Sequence, residues 1–191
     1  MRWLGGVLLF CALTAVAEER ISVCFNYGCL AQAEVVFNDQ QLRELGLLLG
    51  EAQDAAHERA AIRVAVGRLL GWAGEQSPIS ADRGGNYADD GVYGKMDCID
   101  HSTTTTRLLR MMERQGMLRY HRVLEPVLRH RVLIFDHFSA QIEEVDDLSL
   151  AAEGAPTRRY AVDSWFFDNG QPAAVMPLAH WQAGESPNGS E

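Results

Sequence analysis

Positive charge is what this sequence has little of. Its formal net charge is −9 at pH 7, from 17 Lys and Arg against 26 Asp and Glu, and Lys95 is the single lysine. An acidic chain without a basic stripe gives no electrostatic reason to bind nucleic acid or an anionic membrane surface, so neither is expected as a partner. The shortage of lysine reads as codon usage and carries no functional weight. Internal repeats are missing as well. So is a comfortable membrane span, because the apolar run Trp3 to Ala17 (WLGGVLLFCALTAVA) is too short for one.

What that run does have is the layout of an export signal. Met1-Arg2 gives a positive start, the apolar middle follows, and the small residues of the A-V-A end lead straight into Glu18, Glu19 and Arg20. Residues 1–17 are therefore expected to be a cleaved signal peptide and the mature chain to be periplasmic or secreted; a retained N-terminal anchor is the alternative. Cleavage removes Arg2 and no acidic residue, which takes the charge from −9 to −10. Residues 18–183 suffice for one domain with a real core. The polar GESPNGSE from Gly184 to Glu191 reads as a disordered tail.

Three cysteines remain after Cys11 is removed, an odd number for an oxidising compartment. Cys24 and Cys29 (VCFNYGCL) stand close enough for a local disulfide, with Asn26 and Gly28 to allow the turn. Cys98 is then the leftover thiol. Pairing of Cys98 with Cys24 or Cys29 stays open on spacing alone.

Glu18 to Asn38 reads as irregular or weakly extended. Helical spacing of Leu42, Leu45, Leu48 and Leu49 begins behind the capping residues Asn38 and Asp39, and a second helical stretch covers Ala55 to Trp72. Gly74 to Lys95 (GEQSPISADRGGNYADDGVYGK) has loop composition, and long loops in compact domains are often functional. Leu108 to Leu118 is helical again, with Gly116 as its C-terminal cap. Then the character changes: Arg119–Val127, Arg131–Val145 and Arg158–Phe167 are rich in β-branched and aromatic residues and read as strands. Helices followed by a small antiparallel sheet make an α+β fold.

Cys98 lies where the Gly-rich loop gives way to a helix. A cysteine nucleophile needs a stabilised thiolate, a base, and a group to orient that base. A helix N-terminus supplies the first through its partial positive charge, and its free N–H groups suit an oxyanion. Asp97 or Asp100 would cap the first turn. His137 in the second strand and Asp163 in the third suit the base and the orienting carboxylate, since adjacent antiparallel strands bring such residues side by side. Asp168 competes with Asp163. Asn86, Tyr93 and Asp97 are the candidates around the oxyanion and substrate. Each residue has a plainer reading as well: Cys98 as a small buried residue, His137 as a hydrogen-bonded core histidine. Asp97, Cys98 and His101 also fall at helical spacing for a zinc site, but only the distant His121 or His130 would complete it, so neither metal nor cofactor is expected. The Thr103–Thr106 run is expected to pack its helix closely on the sheet.

Gly94–Asp100 (GKMDCID), His137–Glu144 (HFSAQIEE) and Tyr160–Trp165 (YAVDSW), in that order, resemble the transglutaminase-like cysteine peptidase superfamily of papain-like fold. The likeness covers about Gly84 to Phe167. It implies Cys98 as nucleophile, His137 as general base and acid, and Asp163 as orienting carboxylate. It further implies cleavage of peptide bonds in a peptide or protein of the cell envelope, as in the exported bacterial branch, or amide transfer in the wider superfamily. The chain departs from that pattern at Ser139, where an aromatic residue is usual, and at Ser164, where proline is. It departs again at Ile99, where calcium-binding members carry an acidic residue, so calcium is not carried over. A rival expectation from another class is a binding or assembly module that keeps the fold without turnover.

Overall fold

The computed structural model of the chain describes residues 18–85, 89, 91–131, 135–145 and 158–187. The apolar run 1–17 and Asn86 lie outside them.

The described residues open on a regular hairpin where an irregular or weakly extended segment was expected. Strands β1 (Glu19–Phe25) and β2 (Ala31–Phe37) form an antiparallel hairpin in which Glu19 pairs with Phe37 and Phe25 with Ala31. Ile21, Val23, Phe25, Val35 and Phe37 recur at every second position and are buried, the period of a strand with one face on a core. Cys24 and Cys29 are joined by a disulfide across the hairpin's turn, and Cys98 is the free cysteine among the described residues.

Helix α1 (Asp39–Gly50) starts at a capping box, Asn38 accepting from the Gln41 backbone N–H while the Gln41 side chain accepts from that of Asn38. Its buried stripe is Leu42, Leu45 and Leu49. Helix α2 (Ala55–Gly74) is capped by Asp54, so Gly50 closes one helix before another opens. A short 3-10 turn, Pro78–Ala81, follows within the stretch read as loop.

Helix α3 (Cys98–Arg114) extends ten residues further toward the N-terminus than its apolar stripe alone indicates, through the whole threonine run. It packs against β1 on one side and against the main sheet on another. That sheet has the order β3 (His121–Arg131), β4 (Phe135–Glu144), β5 (Arg159–Asp163), β6 (Ala174–Pro177), all antiparallel. The fourth strand is absent from the sequence reading. Pro126 sits in the edge strand β3, where the register shifts by one residue between Leu124 and Val127; a bulge on an edge is where a strand tolerates proline. Leu108, Leu109, Met111 and Met112 of α3 meet Ala140, Ile142 and Val162 of the sheet in one core. Each of the larger of these side chains, Leu, Ile, Val or Met, fully buried, stabilises the fold by about 1.5–3 kcal/mol.

The short helix α4 (Leu178–Gln182) closes the fold on β5 and β6. The first two residues of the stretch from Gly184 bond back to α4. Gly184 N–H donates to the Trp181 carbonyl and Glu185 N–H to that of His180, finishing α4 with ordered chain. No helix among the described residues is long and apolar enough to cross a membrane.

Candidate active site

Cys98 is the first residue of α3. Asp97 is the N-cap, and its side chain accepts from Asp100 N–H while Asp100 accepts from Asp97 N–H, a reciprocal box that fixes where the helix begins. The tip of the hairpin completes the cap. Tyr27 and Cys29 N–H donate to the two oxygens of Asp100 at 2.8 and 2.6 Å, and Gly28 N–H donates to Asp97 at 2.9 Å. Converging three N–H groups in this way needs left-handed backbone at four successive residues, with φ 65° at Asn26, 64° at Tyr27, 62° at Gly28 and 58° at Cys29. The three non-glycine residues each cost about 1–2 kcal/mol there, offset by the carboxylates they meet. Burial, with the Asp97 charge beside it, pushes the Asp100 carboxyl up to about 6 against the pull of the backbone N–H groups.

The Cys98 sulfur, partly exposed, lies 3.8 Å from the carbonyl oxygen of Asp136, the residue before His137 in β4. Pairing of Ala140 with Val162 puts Asp163 diagonally across from His137 on one face of the sheet. There His137 Nε2 and Asp163 Oδ2 are 2.7 Å apart, which leaves Nδ1 as the ring nitrogen for Cys98. Asp163 is held from two further directions. Trp165 N–H donates to Oδ1 at 3.2 Å, and the Trp181 indole Nε1–H donates to Oδ2 at 2.8 Å. Trp165, Phe166 and Trp181 ring the imidazole, with centroids 4.9, 5.9 and 5.7 Å away. The Arg129 guanidinium stacks 4.5 Å over Trp181 and donates to its carbonyl.

This environment favours the protonated form of His137. Burial, the largest single influence, opposes the charge. Hydrogen bonds to Asp163 and with Cys98, together with the charges of both, outweigh it and raise the imidazole to about 9.

The remaining sequence candidates divide. Tyr93 is 68% exposed and packs edge-on against Phe25 of the hairpin. Asp97 has become a cap. Asp168 is exposed and accepts from Gly84 N–H, so the orienting place belongs to Asp163. The residues weighed as zinc ligands are engaged elsewhere. Both ring nitrogens of His101 are occupied, Nε2 by Asp82 at 3.0 Å and Nδ1 by Ser164 at 2.9 Å, and Asp97 is spent on the helix cap. The one cluster of possible ligand atoms among the described residues, Cys24, Cys29 and Asp100, has its two sulfurs committed to the disulfide. Trp181 is what the sequence reading missed. The signal available was a single tryptophan at helical spacing behind a proline, with nothing to name its partner.

Fold and site together define an α+β chain that gathers a cysteine, a histidine and an aspartate at the N-terminus of a helix. A scan of family models, of curated proteins and of solved structures finds no match for the chain.

Proposed function

We propose that this chain is an exported, thiol-dependent amide hydrolase of papain-like architecture, using Cys98, His137 and Asp163. The observation that carries the reading is the continuous line from Asp163 through His137 to a cysteine at the first turn of α3. The resemblance to transglutaminase-like cysteine peptidases supports the same roles. The Cys24–Cys29 disulfide and the N-terminal apolar run support a cell-envelope location.

Chemically, the Cys98 thiolate attacks the carbonyl carbon of an amide, and the Cys98 N–H, a first-turn group without an intrahelical acceptor, faces the developing oxyanion. The C–N bond breaks as imidazolium His137 gives its proton to the leaving amine. Water then attacks the thioester while neutral His137 takes its proton. The C–S bond breaks, the acid leaves, and the proton now on His137 restores the ion pair with the thiolate. Asp163 keeps the ring's other nitrogen protonated and oriented throughout. Hydrolysis is preferred to amide transfer because no residue marks an amine-acceptor site, and a peptide or protein of the envelope is the substrate class.

Alkylation of Cys98 by iodoacetamide across a pH series tests this in the wild type and in His137→Ala. Rapid labelling near pH 6 that slows by about ten-fold or more in the variant is expected of a thiolate–imidazolium pair. Labelling at the rate of an ordinary thiol in both would refute the hydrolase and leave a non-catalytic binding module in its place.

A further inference from the structure

A second buried histidine lies one turn below the nucleophile. Its contacts run Asp82, His101, Ser164, Thr105, at 3.0, 2.9 and 3.0 Å. None of the four is more than 4% exposed. The order of types is that of a hydrolytic Ser–His–Asp set, yet no substrate reaches a Ser164 hydroxyl so enclosed. One placement of the protons satisfies every partner: His101 Nε2–H donating to Asp82, the Ser164 hydroxyl to Nδ1, and the Thr105 hydroxyl to Ser164. A fully satisfied buried network of this kind fixes geometry strongly.

We propose that this network is the device that positions Cys98 against its base. The inference rests on the hydrolase reading and adds positioning residues to it. Cys98, His101 and Thr105 fall at i, i+3 and i+7 on α3, so the nucleophile and both helix members of the network share a stripe. On the strand side, Asp163 and Ser164 are consecutive and serve opposite partners, Asp163 bonding His137 and Ser164 bonding α3. The network therefore ties the end of the strand that holds the base's carboxylate to the helix that holds the nucleophile. Its far end acts on the approach to the helix. The second oxygen of Asp82 accepts the Met96 N–H at 2.9 Å, two residues before Cys98. The segment beyond Asp82 is stitched to the same strand end, Gly85 N–H donating to the Trp165 carbonyl at 2.9 Å.

His101 and Ser164 are thus positioning residues, and their loss should appear in the pH profile of Cys98 and not only in stability. The experiment follows iodoacetamide labelling from about pH 5 to 10 in wild type, Ser164→Ala and Thr105→Val, with urea unfolding on each. A misplacement of up to 1 Å slows a reaction by up to about a hundred-fold. Labelling near pH 6 should accordingly fall by at least about ten-fold in Ser164→Ala, with rates near pH 10, where any thiol is ionised, within about two-fold of wild type. Thr105→Val keeps the shape and loses one hydroxyl at the end of the network; it should show a smaller loss of the same form, and it decides the matter if Ser164→Ala does not fold. A wild-type profile retained in folded variants of lower stability would make the network scaffold only and overturn the proposal while the hydrolase reading stands. A wild type without enhanced labelling near pH 6 would remove the hydrolase reading, and the positioning role falls with it.

Discussion

Raising the pH should destabilise this protein through one imidazole. The gap between 6.5, the ordinary value for histidine, and about 9 for His137 in the folded chain is worth ~3 kcal/mol at ~1.4 kcal/mol per pH decade. The sign follows from its direction. The folded state holds the proton more tightly than the unfolded chain, so the stabilisation is whole below about pH 6.5 and lost as pH rises through about 9. Against a domain stability of ~5–15 kcal/mol that is a large share. Urea unfolding at about pH 6, 8 and 10, followed by the fluorescence of the tryptophans around the ring, measures it. His137→Gln provides the reference, since subtracting its pH dependence removes every other titrating group. Cys98→Ser divides what remains, because the cysteine's hydrogen bond and charge account for part of the raised value and Asp163 for the rest. The difference between wild type and His137→Gln should shrink with pH, and less steeply in the Cys98→Ser background. Parallel pH profiles in wild type and His137→Gln would refute the argument, and with it the claim that the ring is held as a cation.

Two further expectations test the scaffold. Trp181→Phe keeps a ring beside His137 and removes the N–H that Asp163 accepts; losing a hydrogen bond to a buried carboxylate should cost ~1.5–3 kcal/mol in urea unfolding and slow Cys98 labelling near pH 6. An unchanged urea midpoint would mean that the indole only fills space. Gly46→Ala and Gly67→Ala both gain helix propensity, ~0.5–1 kcal/mol each, and should nevertheless move in opposite directions. A Cβ at Gly46 meets nothing within 4 Å, whereas one at Gly67 lies 2.7 Å from the Gln171 carbonyl, so thermal unfolding should show the first variant stabilised and the second destabilised.

How much of this was legible depends on how local the determining contact is. Asn38 and Asp97 act on N–H groups within one turn of themselves, and both helix starts can be read from such residues. The three strands read from β-branched and aromatic composition are present, with boundaries displaced by one to four residues where turn and strand residues mix. Strand β6 is four residues long and ends in proline, too short to show a period. The hairpin was not legible because its two strands are only seven residues each and their alternation is brief. In the site, Cys98, His137 and Asp163 are chemically distinctive types in a suggestive order, and the fold does bring them together. The role of His101 was not legible, because its partner Asp82 lies 19 residues upstream in a loop. Trp181 bonds to Asp163 from 18 residues further along the chain, a distance at which composition and spacing say nothing.

The cap of α3 has a consequence for timing. Its backbone donors, Tyr27 to Cys29, are separated from their carboxylates by 69 to 73 residues, and closing so long a loop is among the slower events of folding. A chain that emerges N-terminus first has the donors in place long before Asp97 and Asp100 exist to receive them. The left-handed tip then has nothing to hold, and the helix that starts at Cys98 lacks its outer cap until the two ends of that loop meet. On the hydrolase reading, a half-folded copy carries an unassembled nucleophile, and reactivity arrives together with the complete fold.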